Sequence, residues 1–136
     1  MILSPSGLSM NQLIILGYVA IGGAVGACSR YLIAELSVIL LGKGFPYGTL
    51  AVNIIGSLIM GMLSSALNQG MIEAAPWRPL IGIGMLGALT TFSTFSMDNL
   101  ILLQQGAYIK AGLNMMLNLS LSLFACFVGF QLLQRG

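Results

Sequence analysis

Apolar residues fall into four long stretches separated by short polar breaks, at about residues 13–41, 49–67, 80–103 and 111–133. A helix that crosses a bilayer needs about 20 predominantly apolar residues, so each stretch is long enough to span one. The breaks carry the residues that stop helices. Gly42, Lys43, Gly44, Phe45, Pro46, Tyr47 and Gly48 divide the first two stretches, Asn68, Gln69 and Gly70 close the second, and Gln104, Gln105 and Gly106 close the third. The connection at 71–79 holds Glu73, Pro76, Trp77, Arg78 and Pro79, a mixture of charge and aromatic side chain suited to the membrane–water interface. The pattern predicts an all-α integral membrane protein, one domain over residues 1–136, without internal repeat or low-complexity tract.

The spans are not uniformly apolar. The second places Thr49, Asn53, Ser57, Gly61 and Ser65 at four-residue intervals, near one helix face. The fourth repeats the device with Asn114, Asn118 and Ser122. An amide near the hydrophobic midplane is unfavourable unless it finds partners, so both stripes must turn inward. They are either interhelical glue, as the small residues Ser57, Gly61, Gly22 and Gly26 suggest, or the walls of a polar path, as the bulkier Asn residues suggest. In the third span Gly82, Gly84 and Gly87 precede a run from Thr90 to Ser96 with five hydroxyl residues in seven positions. Glycine and hydroxyl side chains both weaken a helix, and the run predicts a break there. Carbonyls freed by such a break must be answered by protein, water or an ion, and broken helices at this depth commonly coordinate cations. Phe92 and Phe95, three residues apart, share a face, which in most helices means ordinary packing.

Composition narrows the chemistry. Charged residues make up 6% of the chain against about 25% in soluble domains. A net charge of +2 gives no footprint for nucleic acid. There is no His, which removes the commonest general base and metal ligand, and no activated Ser or Cys arrangement, so an enzyme is not expected. Cys28 and Cys126 lie in apolar runs without metal spacing and read as packed side chains. Residues 1–12 lack the basic region of a signal peptide, so the first span is expected to be retained. Four spans put both termini on one side, with Arg78 and Arg135; Lys43 and Lys110 lie on the other, and Arg30 is expected towards that side. So even a balance leaves orientation to weak local features, or permits insertion both ways round. Arg30 either snorkels to the interface or makes a vestibule attractive to anions. Asp98 is expected to satisfy local backbone or a basic partner, and Glu35 to be interfacial.

Three segments resemble the CrcB/Fluc family of bacterial fluoride channels: Gly22-Gly23-Ala24-Val25-Gly26-Ala27-Cys28-Ser29-Arg30-Tyr31, Gly48-Thr49-Leu50-Ala51-Val52-Asn53-Ile54-Ile55-Gly56, and above all Gly87-Ala88-Leu89-Thr90-Thr91-Phe92-Ser93-Thr94-Phe95-Ser96. The resemblance covers essentially the whole chain. It implies passive fluoride efflux that lowers cytoplasmic fluoride, through an antiparallel, dual-topology homodimer with two pores in the bacterial cytoplasmic membrane. It also implies a structural, untransported Na⁺ held by the carbonyls of Gly87 and Thr90 from the broken third helix. Asn53, Phe92 and Phe95 would line the pore, with Ser93, Thr94 and Ser122 as further polar contacts and Arg30 at the vestibule. Ala88 stands where the family often has glycine; a positive φ there would strain it by roughly 1 kcal/mol or more, so the position is expected to tolerate a Cβ, with Gly87 supplying the essential carbonyl.

Elementary chemistry runs beside the resemblance. Fluoride holds its water tightly, so a selective path must offer replacement donors, and amides, hydroxyls and the positive edges of aromatic rings are such donors. A succession of weak sites is what conduction requires. The principal alternative is a small four-span proton-coupled exporter, which needs a titratable carboxylate near the midplane; none sits centrally in the first, second or fourth span, and Asp98 follows the break in the third. A membrane assembly subunit, with polar stripes as glue, is the other.

Overall fold

The computed structural model describes residues 7–134. The first six residues of the signal-peptide reading, and Arg135 of the charge balance, lie outside the described residues. The described chain is helical throughout its long elements: α1 (Met10–Leu41), α2 (Tyr47–Asn68), α3 (Ala74–Trp77), a π-helical stretch (Arg78–Leu86), α4 (Gly87–Leu89), α5 (Phe92–Gln104) and α6 (Tyr108–Leu133). Taken as spans, four helices are long and apolar enough to cross a membrane: Met10–Leu41, Tyr47–Asn68, Ala74–Gln104 and Tyr108–Leu133. Large apolar side chains cover the outside of all four. This is a multi-pass membrane protein.

Each span begins a few residues before its apolar stretch. α1 begins at a capping box: the Gln12 N–H donates to Ser9 Oγ (3.3 Å) and the Ser9 N–H to Gln12 Oε1 (2.8 Å). The third span gains six residues at its start, with Pro79 in the opening turn of the π-helical stretch, where a missing N–H does least harm. In α6 the extra turn carries Lys110, whose Nζ donates to the Gly44 carbonyl at 3.0 Å. That bond ties the α1–α2 loop to the start of α6. At the other end, Gln69 Nε2 donates to the Leu133 carbonyl at 2.7 Å. The two bonds fix an up-down order of spans.

Glycines let backbones touch. A Cβ at Gly22 or Gly26 would overlap the carbonyls of Leu80 or Met85, and one at Gly84 would lie 2.7 Å from the Val19 carbonyl, so α1 meets the π-helical stretch main chain to main chain. Likewise a Cβ at Gly61 would overlap the Cys126 carbonyl, and one at Gly129 the Leu58 carbonyl, where α2 lies along α6. Small residues at helix contacts are how membrane helices gain packing without a hydrophobic driving force. Gly22, Gly26 and Gly61 are therefore glue. Between these seams sits a small core of Val52, Leu63, Leu86 and Leu89.

Gly61→Ala should lower the stability of the detergent-solubilised protein by about 1–3 kcal/mol, through overpacking against α6. Gly112→Ala, where a Cβ meets nothing within 4 Å, should leave it unchanged or raised. Thermal unfolding followed by circular dichroism distinguishes them, and equal midpoints would refute the seam.

Candidate functional site

The third span leaves helical backbone at two residues. Thr90 (φ −78°, ψ 155°) and Thr91 (φ −152°, ψ 120°) are extended between α4 and α5. Thr91 acts as the N-cap of α5: its Oγ1 accepts from the Thr94 N–H at 3.1 Å. The Thr91 N–H donates not to its own helix but across to Asn53 Oδ1 on α2, at 2.9 Å. In a continuous helix those two N–H groups would answer the carbonyls of Thr90 and Gly87 respectively. Both are diverted, so Gly87 and Thr90 lose the donors that an unbroken helix would give their carbonyls. Gly56 makes room for the turn, since a Cβ there would overlap the Thr90 methyl. Ala88 lies in helical backbone and no non-glycine residue among those described has positive φ, so its Cβ meets no backbone strain.

On one side of the break lies a hollow of about 350 Å³ lined by Asn53, Ser57, Thr90, Thr91, Phe92, Phe95, Asn118, Ser122 and two leucines of α6. The Phe92 and Phe95 rings are 5.4 Å apart, tilted by 45°. Phe92 is 80% exposed in the single chain. Ser122 Oγ is buried without a hydrogen-bond partner, alone in this among the described side chains. Asn53 uses both amide hydrogens within the protein: Nδ2 donates to Asn118 Oδ1 at 2.9 Å and, more weakly, to the Thr91 carbonyl at 3.2 Å.

Thus Asn53, Phe92, Phe95 and Ser122 come together, while Ser93 and Thr94 turn elsewhere. Ser93 Oγ lies 3.4 Å from Thr91 Oγ1, and Thr94 Oγ1 accepts from the Thr91 hydroxyl at 3.1 Å. Thr94 lines two other hollows. One, of about 250 Å³, holds half-buried Arg30 with Thr49 and Thr91; the other, of about 460 Å³, opens at the loop end among Lys43, Lys110 and Asp98. Among the described residues no carboxylate pairs with Arg30. The expectation for Asp98 is corrected. Its Oδ2 accepts from the Thr49 hydroxyl at 2.6 Å, because the first turn of α2 lies beside the middle of α5, rather than binding local backbone or a basic group.

The stripe on α2 consequently splits by role, with Thr49, Asn53 and Ser57 facing hollows and Gly61 and Ser65 in packing; buried Ser65 Oγ accepts from Gln69. Sequence reasoning passed over Asn99. It is buried on α5, donates from Nδ2 to the Phe95 carbonyl (2.9 Å) and accepts from Asn114 Nδ2 (3.0 Å). The register Thr91, Phe95, Asn99, every fourth residue, is the signal that would have found it.

Residues 17–130 match the family model described as CrcB-like protein, Camphor Resistance (CrcB). The chain belongs to the CrcB family. A protein of Photobacterium profundum named fluoride-specific ion channel FluC is 69% identical over 127 residues, 93% of this chain and all of that one. Proteins of the same name from Aliivibrio salmonicida and Vibrio vulnificus are 73% and 62% identical, each over 92% of this chain and 99% of the relative. The hydroxyl run, the Asn of α2 and the glycines of α1 that carried the resemblance all lie inside the matched residues.

An unpartnered buried hydroxyl opposes folding by about 1–3 kcal/mol. Ser122→Ala should therefore melt at the same temperature as the intact protein or higher, in detergent without fluoride. A marked fall in midpoint would mean that Ser122 is structural.

Proposed function

We propose that the chain is a fluoride-selective channel that releases fluoride passively from the bacterial cytoplasm, across the inner membrane. One observation carries this above all: the buried, partnerless Ser122 hydroxyl in a hollow shared with Phe92, Phe95 and Asn53. A donor held ready where water is scarce suits a small, strongly hydrated anion. The rings of Phe92 and Phe95 narrow the passage, and their positive edges can face the ion. Asn53 contributes by exchanging its weaker bond to the Thr91 carbonyl for one to fluoride, while Asn118 holds its other hydrogen. Thr94 serves the neighbouring hollows, towards which Arg30, Lys43 and Lys110 bring positive charge, and Ser93 stands beside it on the same turn. The names of relatives that align with nearly the whole chain support the same reading.

The working unit is an antiparallel homodimer of copies inserted in both orientations. An 80%-exposed Phe92 and an exposed Gly87 beside the break leave one bundle incomplete as a pore. The residues at the break fit a structural Na⁺. The carbonyls of Gly87 and Thr90 are uncharged oxygen donors whose helical partners are diverted, and hard cations prefer oxygen. When bound, the ion supplies fixed positive charge and joins subunits; it is not transported. Asp98 is the carboxylate a proton-coupled exporter would use, and it is committed to Thr49.

Vesicles containing the purified protein should release fluoride rapidly, with or without a pH gradient, as read by a fluoride electrode. Phe92→Ile and Asn53→Asp should each slow release at least tenfold. Vesicles as tight as protein-free ones would sink the channel; release only with a proton gradient would favour exchange. For the assembly, exhaustive replacement of Na⁺ by a bulky organic cation should lower the dimer's melting temperature. Gln105→Cys, at an exposed position in a background without native cysteines, should label from both membrane faces. An unchanged midpoint would remove the ion, and one-sided labelling the dual topology.

A further inference from the structure

Four asparagines from three helices form one head-to-tail relay. The Thr91 N–H donates to Asn53 Oδ1 (2.9 Å), Asn53 Nδ2 to Asn118 Oδ1 (2.9 Å), and Asn118 Nδ2 to Asn114 Oδ1 (2.9 Å). Asn114 Nδ2 then donates to Asn99 Oδ1 (3.0 Å), and Asn99 Nδ2 to the Phe95 carbonyl (2.9 Å). The relay leaves the third span at the break and returns to it four residues later. Asn99, Asn114 and Asn118 are 5%, 0% and 7% exposed, so the middle of the relay is shielded inside the bundle.

An amide side chain has a donor end and an acceptor end. A main-chain N–H only donates and a carbonyl only accepts. With one at each terminus, the orientation of every amide between them is determined. Turning a single Asn would set oxygen against oxygen on one side and nitrogen against nitrogen on the other. A second branch tightens the middle: Asn118 Nδ2 also donates to the Asn114 carbonyl at 2.9 Å. Each of the four amide oxygens accepts one hydrogen bond within the relay. Asn99 and Asn114 do not line the hollow of Phe92 and Phe95. Whatever they do there, they do through Asn118, Asn53 and the Phe95 main chain.

We propose that Asn114 and Asn99 are positioning residues for anion selection, fixing which way the Asn118 and Asn53 amides face and where Phe95 is held. The inference rests on the reading of that hollow as the fluoride path. If the relay opens at either member, Asn53 and Asn118 are free to turn, the passage loses its fixed set of donors, and a larger, less hydrated anion is no longer rejected.

Asn114→Leu and Asn99→Leu keep bulk and remove the amide; Asn114→Ser, smaller and polar, serves if the leucine variants do not assemble. Fluoride efflux and the chloride-to-fluoride permeability ratio, from bi-ionic potentials, are measured on reconstituted protein of intact size. Each variant should slow fluoride efflux about tenfold and raise relative chloride permeability at least tenfold. The double variant Asn99→Leu with Asn114→Leu should be no worse than the worse single one, since either cut opens the same relay. Variants that melt earlier yet keep the intact protein's discrimination would overturn the proposal, as would losses that simply add. Should the intact protein pass no fluoride, the channel reading fails and this inference with it; an intact protein that conducts beside variants that discriminate normally defeats only the relay.

Discussion

Inside a bilayer no main-chain hydrogen-bonding group can be left to water, and the break at Thr90 and Thr91 turns that constraint into architecture. A helix opened at mid-span frees N–H groups and carbonyls together. Here two of the N–H groups are answered at once, that of Thr91 by Asn53 and that of Thr94 by the Thr91 hydroxyl. The carbonyls of Gly87 and Thr90 are not compensated by the same exchange. Asn53 on α2 thus has a structural duty before any ionic one, and α2 must lie close enough to deliver it. Gly56 secures that approach by leaving space for Thr90.

The rest of the bundle is arranged to hold this one irregularity. α1 carries no buried side chain larger than glycine: its buried residues are Gly22 and Gly26, both pressed on the π-helical stretch. α1 therefore acts as a rail for the first half of the broken span, while α6 serves as a rail for α2 through Gly61 and Gly129. With backbones packed this closely, the positions of Thr91 and Asn53 are set by main-chain contacts, which vary less than side-chain contacts. The wider turns of the π-helical stretch lie next to the break, as such turns often do at functional sites.

Much of this was legible because membrane solvation writes itself in hydropathy. The four spans, the weakened helix at the hydroxyl run and the inward turn of Asn53 and Asn118 all follow from the unfavourable exposure of polar groups to lipid. What hydropathy could not see were the polar first turns, since Ser9, Gln12 and Lys110 look like loop until their bonds are known. Nor could spacing divide the hydroxyls around Phe92. Ser93, Thr94 and Ser122 are alike as residue types, yet only Ser122 ends up buried without a partner beside the rings. Asp98 found Thr49, 49 residues away, because α2 and α5 meet, a tertiary fact with no local signature. Asn99, by contrast, stands in four-residue register with Thr91 and Phe95, a local signal that lay open in the sequence.

The two ion sites proposed here are opposite consequences of one break. The first half of the span ends at Leu89, so its carbonyl end, with partial negative charge, gathers at Gly87 and Thr90. The second half, 13 residues long, begins at Phe92, and its N-terminal end carries the partial positive charge. A cation is therefore favoured by main-chain oxygen on one side of the junction, while an anion is favoured by side-chain donors and ring edges on the other. Each charge improves the environment of the other. Thr91 turns its hydroxyl towards its own helix and answers the Thr94 N–H, so that donor is not left to hold an anion firmly. Conduction needs donors that are present but only weakly committed, and Ser122, buried and unbonded, is the side chain that fits that description.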